Sequence, residues 1–251
     1  MKKLLLLLTG LLLIGCGERG EVTLPVDDGV NDGILIRGNG AEPESLDPHL
    51  ATSVSAGNVL INLFEGLTRL NPSDLSAEPG MAESWTVSED NKEITFTLRP
   101  AVWSDGKALT AEDFAFAFRR LLNPELGASY AFMLYPIENA QAIHTGEKSL
   151  SELGVEVVDD QTLRLRLQKP TPYIFSLLAH WTAYPLPRHV MSKFGDAAYR
   201  GGEWTRPENL VVNGAFLLEE WIDEDRIQLR QNPSYWQADQ VQLNGAVFIP
   251  F

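Results

Sequence analysis

Two stretches alternate strictly between apolar and polar residues, and each follows a second apolar run across a short polar turn. Ile94, Phe96 and Leu98 follow Trp85 and Val87 across Glu89-Asp90-Asn91, and Leu163, Leu165 and Leu167 follow Val155, Val157 and Val158 across Asp159-Asp160. A period of two puts one set of side chains on one face of a strand, so each stretch predicts an antiparallel hairpin with one buried side. Between them the period becomes helical. Thr110 is suited to an N-cap, Asp113 stands three residues on as in a capping box, and Phe114, Phe118, Leu121 and Leu122 share one face. Asn123-Pro124 stops this helix. Hairpins interleaved with helices predict a mixed α/β class with α+β character.

Around this centre, Gly33 to Arg37 predicts a short buried strand followed by a Gly-Asn-Gly turn, and Ser55 to Leu67 a helix ending near Gly66. Tyr173 to Leu178 and His189 to Phe194 predict short helices. Phe216-Leu217-Leu218, then Ile227 and Leu229, and finally Gly245 to Phe251 are apolar runs set off by Asn-Gly, Asn-Pro and polar segments. An apolar strand as a last element is unusual, because an exposed edge invites aggregation.

The N-terminus sets the compartment. Lys2 and Lys3 precede Leu4 to Ile14, an apolar run too short for a comfortable bilayer span and suited to a secretory signal peptide. Leu13-Ile14-Gly15-Cys16 resembles the lipobox of bacterial lipoproteins. That resemblance implies removal of 1–15 and acylation of Cys16, with 16–33 as a flexible tether rich in Gly, Asp and Glu. Cys16 is the one cysteine of the chain, which excludes an internal disulfide and a cysteine metal cluster. The net charge of −14 disfavours nucleic acid as a partner.

No catalytic motif is visible. A His-Glu-x-x-His zinc motif, a phosphate loop, the third glycine of a dinucleotide fingerprint and a Gly-x-Ser-x-Gly elbow are all missing from the sequence. His49, His144, His180 and His189 are scattered, which suits surface or core histidines better than metal ligands. Glu42 and Asp47 are the kind of pair a general acid/base dyad needs, but most such carboxylates are solvated. The residues alone favour binding over catalysis, with no cofactor and no metal.

Several segments in order resemble one family. Ile36 to His49 (IRGNGAEPESLDPH), Leu63 to Leu67 (LFEGL), Pro79 to Trp85 (PGMAESW), Val102 to Gly106 (VWSDG), Leu109 to Phe114 (LTAEDF) and Asn213 to Phe216 (NGAF) resemble the oligopeptide-binding proteins of bacterial ABC peptide importers, the peptide/nickel-binding family 5. The resemblance covers about residue 34 to Phe251. It implies a periplasmic-binding-protein-like fold of type II, with 34–64 and 188–251 as a discontinuous first-lobe sheet domain and 65–187 as an inserted α+β domain. The second lobe is missing from this sequence, which on this reading is an N-terminal fragment. The family holds peptides in extended form, mostly through their backbone. By alignment the strand-like stretch that does so here is Thr52-Ser53-Val54, with Tyr130 as a pocket wall and His180 on the cleft side. The implied function is capture of oligopeptides and delivery to ABC permease subunits, by a monomer held to the membrane through its N-terminal lipid. An isolated lobe loses half the ligand contacts and would bind peptide weakly. Other readings are a family member for a nickel chelate, haem or an oligosaccharide, a surface hydrolase, or a lobe that binds a protein.

Overall fold

The computed structural model describes residues 25–195 and 199–251. The leader 1–15, Cys16 and the first part of the tether lie outside the described residues. In chain order the helices and strands are α1 (Pro25–Asp32), β1 (Ile34–Gly40), α2 (Val54–Leu63), β2 (Thr68–Leu70), β3 (Ala77–Pro79), β4 (Ala82–Val87), β5 (Glu93–Leu98), α3 (Ala111–Leu122), α4 (Ala140–His144), β6 (Val155–Asp159), β7 (Thr162–Arg166), α5 (Ile174–Leu178), α6 (Arg188–Met191), β8 (Phe216–Ile222), β9 (Arg226–Gln231) and β10 (Gly245–Pro250). They form two four-stranded sheets, ordered β1-β10-β9-β8 and β4-β5-β7-β6, and a small β2-β3 ladder.

Both predicted hairpins form, and they fuse. Trp85 pairs with Phe96 across β4 and β5, and Val157 with Leu163 across β6 and β7. The inner strands then pair antiparallel, Phe96 opposite Leu163 and Ile94 opposite Leu165, so two apolar faces become one. Those four side chains are buried, and α3 packs over β6 and β7 with Phe114 and Phe118 turned inward. The α3 start follows the sequence. Thr110 is an extended N-cap whose backbone N–H donates to Asp113 Oδ2 at 2.9 Å, and the same oxygen accepts from Trp103 Nε1 at 3.2 Å. On the outer face Arg164 and Arg166 pair with Glu93, Glu138 and Glu156; such exposed pairs each contribute little.

The other sheet joins the two ends of the described chain. β1 and β10 run parallel, Ile34 opposite Gly245 and Arg37 opposite Phe248, and β10, β9 and β8 continue antiparallel. Val59, Leu60 and Leu63 of α2 share a buried core with Phe216, Leu218, Ile227 and Leu229.

Three local expectations differ from the structure. The composition predicts an unstructured tether to 33, but Pro25–Asp32 form α1. Pro25 suits a first helical turn, where its missing N–H is no loss, and Gly33 ends the helix at φ +68°. Among the described residues the strand at Ile34 is an edge strand, with Leu35 exposed and only β10 beside it, and Gly38-Asn39-Gly40 belongs to it instead of forming a turn. The helix expected to reach Gly66 stops at Leu63. Phe64 is extended, and Gly66 passes so close to α5 that a Cβ there would sit 2.6 Å from the Leu178 carbonyl oxygen.

Four of the segments that carry the family resemblance, around Leu63 to Gly66, Met81, Ser104 and Asn213, meet one another. Asn213 clamps the Glu65 backbone, accepting its N–H at 3.2 Å and donating to its carbonyl at 2.9 Å. Gly214 N–H donates to Leu63 O, and a Cβ on Gly214 would lie 2.6 Å from the Leu63 carbonyl carbon. Met81 N–H donates to Gly66 O, and Ser104 exchanges two bonds with Val212. The Glu65 carboxylate accepts from Trp236 Nε1 at 2.6 Å and Tyr235 Oη at 3.1 Å, beside Arg69. Burial pushes this carboxyl up, against those bonds. Arg99 lies 3.4 Å over the Trp236 ring, adding a cation–π contact. These four motifs are structural joints.

Candidate functional site

The site is built on the loop between β1 and α2, and that loop is fastened from below. Asp47 accepts two bonds from Arg120 of α3, at 2.9 and 2.6 Å, and one from the His49 backbone N–H at 2.9 Å. Arg120 also donates to the Tyr199 carbonyl at 2.9 Å. Asp47 and Arg120 are at most 1% exposed. Burial pushes the Asp47 carboxyl up, but the Arg120 guanidinium outweighs it and holds the carboxyl below its ordinary range. Asp47 is therefore committed to structure. Glu42 receives a bond from Trp221 Nε1, so the two carboxylates have separate hydrogen-bond partners.

At its far end the loop folds back on Glu44. Glu44 Oε1 accepts from Thr52 N–H, from Thr52 Oγ1 at 3.1 Å and from Ser53 N–H at 2.9 Å, while Oε2 accepts from Ser53 Oγ. Partial burial pushes this carboxyl up, yet the bonds from Ser53 and Thr52 outweigh it and hold the pKa down to about 2. A carboxyl 13C titration of Glu44 should therefore have its midpoint near 2, against an ordinary 4.5. Replacing Ser53 by alanine should move it upward; an ordinary midpoint in the unaltered chain would show that the bonds are not kept in solution.

Ser53 Oγ accepts the Ala56 N–H at 3.1 Å and caps α2. The stretch Thr52-Ser53-Val54 is thus not a strand: Ser53 is the extended N-cap of α2 and Val54 its first residue, because an N-cap serine satisfies first-turn donors better than a continuing strand would. Thr52 and Ser53 N–H belong to Glu44, and Ser53 O accepts from Gly57 N–H. What faces outward is the Thr52 carbonyl, Val54, and the Val54 N–H, which as the first residue of the helix has no intrahelical acceptor.

The Thr52 carbonyl accepts from Tyr130 Oη at 3.2 Å. The Tyr130 ring meets His180 edge-on, with centroids 5.8 Å apart, and Phe132 likewise at 5.9 Å. His180 lies over Trp181 at 3.8 Å, and Trp181 Nε1 donates to the Ala51 carbonyl. Gly57 leaves space for that indole; a Cβ there would be 2.7 Å from the ring. His180 Nδ1 shares a 2.6 Å bond with Thr182 Oγ1, and burial lowers its pKa to about 4, so it is neutral near pH 7. The structure links Thr52 to Tyr130 and Tyr130 to His180, and Ser53 and Val54 follow Thr52 in the chain. Sequence reasoning missed Glu44, Phe132 and Trp181. Trp181 adjoins His180, while nothing in spacing marks Glu44 as the acceptor for residues eight and nine further on.

The surface is an aromatic platform with Phe132, 53% exposed, against Tyr130, and with Val54, 77% exposed, two residues beyond Thr52. Its chemistry suits apolar contact plus a few main-chain bonds. Among the described residues no group of three His, Cys, Asp or Glu side chains could hold a metal ion. A separate cleft of about 710 Å³, between Trp236 and the Asp159–Gln161 turn, contains none of the sequence-predicted residues.

The profile described as bacterial extracellular solute-binding proteins, family 5 middle, matches residues 76–251. The chain belongs to this family. Among family 5 relatives, it is 40% identical over 219 residues to the periplasmic oligopeptide-binding protein OppA of Salmonella typhimurium, and 42% identical over 218 residues to that of Haemophilus influenzae. Each match covers 86% of this chain and 39% of the relative. The crystal structure of Haemophilus influenzae OppA in complex with RPPGFSPFR superposes with a TM-score of 0.82 at 42% identity, covering 88% of this chain and 42% of that one. The mixed α/β architecture is thus the family 5 fold over part of its length, and the chain spans about 40% of the length of the relatives it matches.

Proposed function

We propose that this chain forms the first-lobe side of an extracytoplasmic receptor that captures oligopeptides in extended form for an ABC importer. The observation that carries the reading is the linkage of Thr52, Tyr130 and His180 on one aromatic surface, in a fold like that of a protein crystallised with a nine-residue peptide. A peptide lying across it would pair its backbone with the Thr52 carbonyl and Val54 N–H and rest its side chains on Tyr130, Phe132 and His180. Backbone bonds are common to all peptides, so such a surface tolerates many sequences. A second lobe would close over the ligand, and closure is driven because only the closed form contacts peptide from both sides.

In this proposal 34–64 with 188–251 act as the lobe, and 65–187 as the inserted domain; a sheet drawing β1 and β8 to β10 from the two ends of the chain supports it. The chain acts as a monomer on membrane permease subunits, held at the membrane by a lipid on Cys16, and it binds without catalysis.

The test is a chimera in which residues 34–251 replace the matching segment of Haemophilus influenzae OppA. Calorimetry should show binding of RPPGFSPFR. Tyr130→Ala and His180→Ala should each weaken it about ten-fold, the loss of roughly 1–1.5 kcal/mol of aromatic contact. Mass spectrometry should recover the peptide intact. Unchanged affinity in both variants, or cleavage products, would overturn the reading.

A further inference from the structure

A groove leads away from the Tyr130–His180 pair. Tyr173, the N-cap of α5, and Leu177 are four residues apart and line one wall, and the His180 N–H donates to the Leu177 carbonyl just beyond the helix. Phe132 and Met133, two and three residues after Tyr130, also line it, as does Lys169. The space enclosed is about 390 Å³, within the range of small-molecule pockets and too small for a folded partner. Phe132 and Tyr173 are more than half exposed, so the groove has an uncovered aromatic lining.

Its charge is as informative as its shape. In a chain of net charge −14, this groove is lined by no carboxylate, and Lys169 is its one charged residue. Among the described residues the one lysine in an ion pair is Lys148, so Lys169 forms none. The groove is continuous with the candidate site through Phe132, whose ring is held edge-on to Tyr130. Its occupant should therefore be part of the same ligand, with an apolar side chain for the aromatic lining and a negative group for Lys169.

We propose that this groove is a distal specificity site for the bound peptide. It takes a large apolar residue, with a carboxylate next to it in sequence paired to Lys169. The proposal rests on the peptide-receptor reading above and adds to it a sequence preference. That carboxylate has two possible sources, an acidic side chain or the peptide's own C-terminus.

The experiment is methyl NMR on the 251-residue chain, which detects the weak binding expected of one lobe. Val54 methyls report on the peptide surface, and Met133 and Leu177 methyls report on the groove. The probes are hexapeptides of four alanines and phenylalanine ending in amidated glutamate, amidated glutamine or glutamine with a free carboxylate, and an all-alanine hexapeptide amide. Phenylalanine peptides should shift Val54, Met133 and Leu177 together, whereas the all-alanine probe should shift Val54 alone. One or both of the carboxylate-bearing probes should bind about three-fold tighter than amidated glutamine, the size of a half-exposed ion pair. Which of them does so identifies the source. Lys169→Gln should abolish that difference while leaving the Val54 shifts in place. Val54 shifts without Met133 or Leu177 shifts would overturn the groove proposal and leave the receptor reading standing, as would equal affinity for all three phenylalanine probes. Silence at all three positions would remove both.

Discussion

Arg120→Met is expected to cost about 3–5 kcal/mol of stability, the largest effect of any single substitution argued for this chain. Arg120 and Asp47 are both buried, with two hydrogen bonds between them, so removing the guanidinium leaves a carboxylate without its counter-charge in the core. Urea unfolding of the variant should show a strongly lowered midpoint. The double variant Arg120→Met/Asp47→Leu should regain much of the loss, because a buried pair replaced as a whole by apolar side chains carries no stranded charge. A single variant as stable as the original chain would show that the pair is solvated. The pH sign follows from the depressed Asp47 carboxyl. Its contribution is present above the ordinary value of 3.8 and is lost as pH falls below that toward the lower value of the folded state. The loop bearing Glu44, Thr52 and Ser53 is anchored by this pair, so the variant should also lose the low Glu44 titration.

The second large effect is acid sensitivity through His49. This histidine is 2% exposed, and burial, reinforced by the nearby Arg120 charge and opposed by Asp47, lowers its pKa from 6.5 to about 3. The unfolded chain takes up a proton below 6.5 and the folded chain does not, so stability is full above 6.5 and falls as pH drops toward 3. One such proton corresponds to about 1.4 kcal/mol per pH unit, or roughly 2–3 kcal/mol between pH 6.5 and 4.5. His180, lowered to about 4 by burial, acts in the same direction over the same range. His49→Leu should flatten the slope by about one proton while leaving stability at pH 7.5 nearly unchanged, because both ring nitrogens are buried without a protein partner. Denaturant midpoints between pH 4.5 and 7.5 decide this; parallel slopes in the two proteins would mean that His49 is protonated in the folded state.

What the sequence made legible was local. Ile94-Phe96-Leu98 and Leu163-Leu165-Leu167 show their faces by alternation alone, and Thr110 with Asp113 marks the α3 start. The β5–β7 pairing that merges the hairpins joins residues about seventy apart, and periodicity carries no information about partners. β2 and β3 are three residues each, too short to show a period. The motifs behind the family resemblance belong largely to seams, such as Asn213 on Glu65 and Gly214 on Leu63. They located the fold while saying little about ligand. The surface residues Thr52 to Val54, Tyr130 and His180 entered through alignment, because an exposed threonine or valine has no chemical signature of its own. His49 read as one of four scattered histidines, since only the folded chain places it beside a buried Arg120.

The most direct test of the peptide-receptor account is a crystal structure of the chimera with RPPGFSPFR bound. The expected result is an extended peptide whose backbone pairs with the Thr52 carbonyl or the Val54 N–H and whose side chains lie against Tyr130 and His180. A peptide lodged elsewhere, for example in the cleft beside Trp236 and Asp160, with the Tyr130 surface empty, would contradict it.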